Sequence, residues 1–164
     1  MNGRVHMLLG RPKVREKDAF LATIGDLQDE YGCVIQAMDA EMVVNEMHVT
    51  SAAKKALRAF AEDRNVAKDL GLEILRYASG QRQIERALSM GISGSTERIV
   101  LLVIEDGTSP ELSGIFELDG QGPTWNPEIV KKAFQISDEE IEAVGEDKIP
   151  DLVLERVALV DAYR

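Results

Sequence analysis

Ile99-Val-Leu-Leu-Val-Ile104 is the longest uninterrupted apolar run of the chain. Six residues is strand length, and a strand apolar on both alternating faces belongs at the centre of a sheet covered on both sides. The rest of the chain alternates around it. Val5–Leu9, Cys33–Met38 and Leu72–Ala78 read as further short strands. Val14 to about Tyr31 reads as a helix, with Phe20, Ile24 and Leu27 along one face. From about Met47 to Glu62 the helical pattern is clearest: Val49, Ala52, Ala53, Ala56, Leu57 and Phe60 form one stripe, with Lys54, Lys55 and Arg58 opposite. Gly80–Met90 reads as a short helix closed by Gly91 as its C-cap. Asn126-Pro-Glu opens another with a capping asparagine and a first-turn proline, and Ser137-Asp-Glu-Glu140 is a capping box. A last helix runs from about Pro150 to Asp161. The expectation is a single α/β (α+β) domain spanning residues 1–164, with a short central mixed sheet packed with helices.

Bulk composition narrows the function. A chain of 164 residues can bury a full core without disulfide or metal support. Cys33 is the single cysteine, which excludes an internal disulfide and fits a reducing cytoplasm. No run is long enough for a signal peptide or a membrane span. The net charge of −10 makes the molecule as a whole repel nucleic acid and anionic membranes. Its distribution is uneven. Lys54–Arg86 holds 8 basic and 5 acidic residues, whereas residues 97–164 hold 16 acidic and 6 basic. The basic centre is compatible with an anion-binding face and equally with a solvated helix surface.

Catalytic patterns are missing. His6 and His48 have no carboxylate or cysteine at ligand spacing, so no metal site is expected. There is no phosphate loop, and Gly91-Ile-Ser-Gly94-Ser lacks both the lysine and the dinucleotide pattern. Asp39, Glu41 and Glu46 read as solvated acids rather than a paired-carboxylate site. Cys33, inside an apolar strand, reads as an inert core thiol.

Two features remain. In Leu72-Glu-Ile-Leu-Arg-Tyr-Ala-Ser79-Gly80-Gln-Arg82-Gln83 the pattern reads as a strand feeding directly into a helix, whose free N-terminal amides would attract an anion. The alternative is that Ser79 merely caps that helix and Arg82 extends into water. In the C-terminal helix, Leu152, Val153, Leu154, Val157, Ala158, Leu159 and Val160 cover nearly the whole circumference. Such a helix is either fully buried or docked on a partner.

The stretch Asn65–Gly91, with Gln36-Ala-Met-Asp-Ala40 and Leu154-Glu-Arg-Val-Ala-Leu-Val-Asp161 in the same order, closely resembles a known family. This is the small KEOPS accessory subunit that binds the complex's RIO-like kinase, called the PRPK-binding protein in animals. The bare length resembles the archaeal type. The resemblance implies a cytoplasmic, non-catalytic subunit without cofactors, in a complex that makes the threonylcarbamoyl modification of tRNA adenosine. Its direct partner would be the RIO-like kinase/ATPase subunit, which it stimulates. The threonylcarbamoyl transferase and the small dimerising subunit would be indirect partners. It would also help recruit tRNA through the single-stranded CCA end. On this reading Leu154, Val157 and Ala158 form the kinase-docking surface. Asn65, Lys68, Arg82 and Gln83 contact tRNA, and Tyr77 is a candidate for base stacking, although a tyrosine on a strand more often belongs to the core. The competing reading, from the residues alone, is a small enzyme or sensor that binds a phosphorylated metabolite at Ser79–Gln83.

Overall fold

The computed structural model describes residues 3–163. Four strands form one sheet in the order β2-β3-β1-β4: β1 (Arg4–Pro12), β2 (Val34–Asp39), β3 (Ile99–Glu105) and β4 (Phe116–Leu118). The α/β class is as expected, but the sheet is antiparallel throughout rather than mixed. β3 is buried at all seven positions, between β2 and β1. Its alternating side chains divide two apolar clusters. Ile99, Leu101 and Val103 pack with Phe20 and Ile24 of α1 (Lys17–Tyr31). Val100, Leu102 and Ile104 face the larger cluster, built with α2 (Glu46–Ala61) and α3 (Leu70–Ala78). α5 (Pro127–Ala133), α6 (Asp138–Val144) and α7 (Ile149–Leu159) complete that side. The single-turn α4 (Ile84–Ala87) follows α3. Among the described residues no helix is long and apolar enough to cross a membrane.

Local signals explain most of these elements. Asn126 and Ser137 cap α5 and α6 as their sequences require, the latter through a complete capping box with Glu140. Ala52, Ala53, Ala56 and Ala59 of α2 are fully buried, and their small side chains let α3 approach closely. The helix expected over Gly80–Met90 is shorter, with only Ile84–Ala87 α-helical and Leu88–Met90 a 3-10 turn. Gly91 closes it as the C-cap, its amide donating to the Leu88 carbonyl, although in extended geometry (φ −73°, ψ 175°) rather than left-handed. More important, Leu72–Ala78 is helical rather than a strand. Asp69 caps that helix by accepting from the Leu72 amide at 2.8 Å, and Glu73 and Arg76 pair at i, i+3 with both side chains buried. On a strand those two residues would point to opposite faces.

Gly10 lies between the Ile99 and Leu118 positions of the neighbouring strands. A methyl group there would collide with the backbone carbonyl of Glu117. Gly10→Ala is therefore expected to cost about 1–3 kcal/mol through overpacking. At roughly 2–4 °C per kcal/mol for a chain of this size, a thermal melt resolves it.

Candidate functional site

The end of α3 organises the site. Ser79 is the C-cap of this helix, not the N-cap of the next. Its amide and those of Gly80 and Gln81 are spent on the carbonyls of Leu75, Tyr77 and Arg76. The free amides expected to attract an anion at Ser79–Gly80 are therefore absent; the next helix begins only at Ile84, behind Gln83 as an N-cap without a side-chain cap hydrogen bond. Gly80 turns the chain at φ +69°, and a Cβ there would lie 3.2 Å from Cβ of Arg156. The chain reverses closely against α7 and then exposes Arg82, Gln83 and Arg86.

A cleft of about 800 Å³ opens between this segment and α7. Arg76, Arg82, Gln83 and Arg86 line one side, with Glu155, Arg156 and Leu159 across from them. The structure thus brings Arg82 and Gln83 together in the cleft. Asn65 and Lys68 do not line it; Val66, between them in the chain, does. Lys68 is exposed, and Asn65 is half-buried with its side-chain amide donating to the Ala67 carbonyl at 2.8 Å.

Beneath the basic wall lies a buried ion pair. The Glu73 side chain is fully buried and that of Arg76 is 3% exposed, with Arg76 Nε donating to Glu73 Oε1 at 2.9 Å. The carboxylate also accepts from the amides of Val66 and Ala67, each at 3.1 Å. Arg76 Nη1 donates to the Arg82 carbonyl at 3.2 Å.

Arg156 holds the far wall. It donates to the Phe134 carbonyl at 2.9 Å and to both Glu140 oxygens at 2.8 and 3.0 Å. These hydrogen bonds are the main reason the Glu140 carboxyl titrates below its ordinary range. Around α7, Ile149, Val153 and Val157 are buried, whereas Asp151, Glu155 and Ala158 are exposed and Leu154 is half-buried. The helix therefore packs one apolar stripe on its own domain and leaves another face open. Leu154 and Ala158 are accessible to a partner. Val157, grouped with them on sequence, is 1% exposed and belongs to the core.

Tyr77 is unavailable for base stacking. It is fully buried, and its hydroxyl donates to Asp161 at 2.6 Å. Cys33 is buried, and desolvation pushes its thiol above the ordinary value, the reverse of nucleophile activation. Among the described residues no group of three or more His, Cys, Asp or Glu side chains could hold a metal ion. Sequence reasoning missed Arg86, Arg76 and Arg156 as site residues. The four-residue spacing of Arg82 and Arg86 was a usable signal for the first. The others depend on tertiary contacts.

The model of the family described as kinase binding protein CGI-121 matches residues 14–161. A curated relative, the regulatory protein Cgi121 of Methanocaldococcus jannaschii, is 29% identical over 137 residues. That alignment covers 79% of this chain and 85% of the relative. The matched region contains α1, both walls of the cleft and the whole of α7, and the chain belongs to the kinase-binding CGI-121 family.

Proposed function

We propose that this chain is the non-catalytic KEOPS subunit that binds and stimulates the RIO-like kinase through the open face of α7 and recruits tRNA by its CCA end. The observation that carries the RNA half is the cleft wall: an acidic protein exposes Arg82, Gln83 and Arg86 together around the start of α4, beside an apolar Val66. Single-stranded ends are held in basic grooves that track the backbone, and Val66 would add an apolar surface beside this one. Lys68 and Asn65 flank this surface and would add contacts outside the cleft. The match to a kinase-binding family supports the other half. The threonylcarbamoyl transferase and the small dimerising subunit would be reached only through the kinase.

The RNA contact has to overcome a net charge of −10. It is therefore local, and its salt slope is expected to report on the order of two to three phosphate contacts. Arg82→Glu is expected to weaken tRNA binding by roughly tenfold or more, because a charge-assisted hydrogen bond is worth about 1.5–3 kcal/mol. Kinase capture should be unchanged. Removing the CCA end should weaken wild-type binding to a similar level, and combining the two should cost little more. Additive losses would mean that Arg82 and the CCA end do not meet. The chain alone is expected to turn over no ATP; turnover that survives removal of every contaminating kinase would overturn the non-catalytic reading.

A further inference from the structure

One buried ion pair ties together the two segments that face the proposed RNA surface, in addition to apolar contacts such as those of the buried Ala67 and Ala87. Glu73 grips the first segment through the amides of Val66 and Ala67. Arg76 grips the second through the Arg82 carbonyl. The guanidinium and carboxylate then lock to each other through Nε–Oε1 at 2.9 Å and Nη2–Oε2 at 3.4 Å. Each end of the pair thus holds a different loop, and a single turn of α3 sets the distance between them. Stability alone is a weak reason for such a pair. Desolvation offsets most of the attraction of a buried ion pair, and well-packed apolar residues of similar size often do as well. Apolar residues could not, however, bind two amides on one side and a carbonyl on the other.

We propose that the Glu73–Arg76 pair is a positioning device for RNA binding: it sets the spacing between residues 65–68 and 82–86, and the affinity for a single-stranded RNA end depends on that spacing. The inference rests on the RNA reading above and assigns no RNA contact to either residue of the pair. Arginine is required at position 76 because its planar fork serves the carboxylate and the carbonyl at once. Lysine offers a single point charge that serves one or the other.

The test uses the full chain, a tRNA and a short RNA oligonucleotide ending in CCA, with affinity measured across salt below each variant's melting temperature. Arg76→Lys keeps the charge, so the salt slope should stay as in the wild type while affinity falls by roughly tenfold, the equivalent of one well-placed contact. Arg82→Glu, by contrast, should flatten the slope. The double variant Glu73→Gln/Arg76→Gln leaves no unpaired buried charge and also releases the Arg82 carbonyl. It should reproduce the Arg76→Lys loss, and it decides the matter if the lysine variant fails to fold. Capture of the kinase subunit should be normal in both. Wild-type RNA affinity in the folded variants would make the pair purely structural and overturn the proposal. If Arg82→Glu and Arg86→Glu also bind RNA normally, the RNA reading itself fails and this proposal falls with it.

Discussion

Arginine at Val157 is expected to unfold the domain, whereas arginine at Ala158, the next residue, should leave it folded and abolish kinase capture. Val157 is 1% exposed and belongs to the larger apolar cluster, with Val153 and Ile149 on the same helix face. A guanidinium there is a buried charge without a partner, which costs several kcal/mol. Domains of this size have only about 5–15 kcal/mol in total. Ala158 points away from that cluster and is exposed. In the free protein an arginine at this position stays in water and changes stability by less than about 0.5 kcal/mol. In a docked complex the same charge would be desolvated and would weaken binding by about 2–5 kcal/mol, or thirtyfold and upward. Leu154→Arg is a blunter probe because Leu154 is half-buried. Circular-dichroism melts and co-elution with the kinase subunit separate the outcomes. A folded Ala158→Arg variant that co-elutes normally would place the docking surface elsewhere.

The contrast between Val157 and Ala158 marks where sequence reading stopped. Apolar residues cover most of the circumference of α7, so periodicity could not tell the packed stripe from the open one. The orientation depends on tertiary contacts instead, above all those of Arg156 with Phe134, Gln135 and Glu140. The central strand was legible because Ile99–Ile104 has no polar position. The caps of α5 and α6 were legible because capping is local chemistry. α3 was misread as a strand for a physical reason. Seven mostly apolar residues fit either a buried strand or a buried helix, and the deciding evidence was the pair of charges three apart. That one error carried into the site. It turned a helix C-terminus into an imagined helix N-terminus, and it hid the ion pair that holds the cleft wall. The exposure of Arg82 and Gln83 does not depend on which element precedes them. The three-residue β4 (Phe116–Leu118) carries too little pattern to be read at all.

Stability is expected to fall between pH 6.5 and pH 4, with His48 as the principal cause. The ring is fully buried between α2, the C-terminal end of α3 and Phe134, whose ring meets it edge-on at 5.5 Å. Nε2 lies 2.7 Å from the Ala78 carbonyl, which can only accept, so Nε2 carries the hydrogen. Nδ1 accepts from the Val44 amide at 3.3 Å. Both nitrogens are therefore satisfied in the neutral form, and a second proton on Nδ1 would face an N–H group. Burial pushes the pKa down from 6.5 to about 4, with the Ala78 hydrogen bond opposing it. The sign follows directly. Below pH 6.5 the unfolded chain takes up a proton that the folded chain refuses, so stability drops as pH falls and levels off once the folded ring also titrates. At about 1.4 kcal/mol per pKa unit the total loss is roughly 3 kcal/mol. Glu140 and Asp119 also lose stabilising contacts in acid, with Arg156 and Arg98 respectively. Their carboxyls sit below the ordinary range, so that loss comes mainly below the His48 window. Urea melts at pH 7.5, 6, 5 and 4.5 test this directly. His48→Gln cannot titrate, and although it lowers stability at pH 7.5 it should flatten the profile from pH 6.5 to 4.5. Parallel profiles for the two proteins would mean that a neutral, buried His48 does not govern the acid limb.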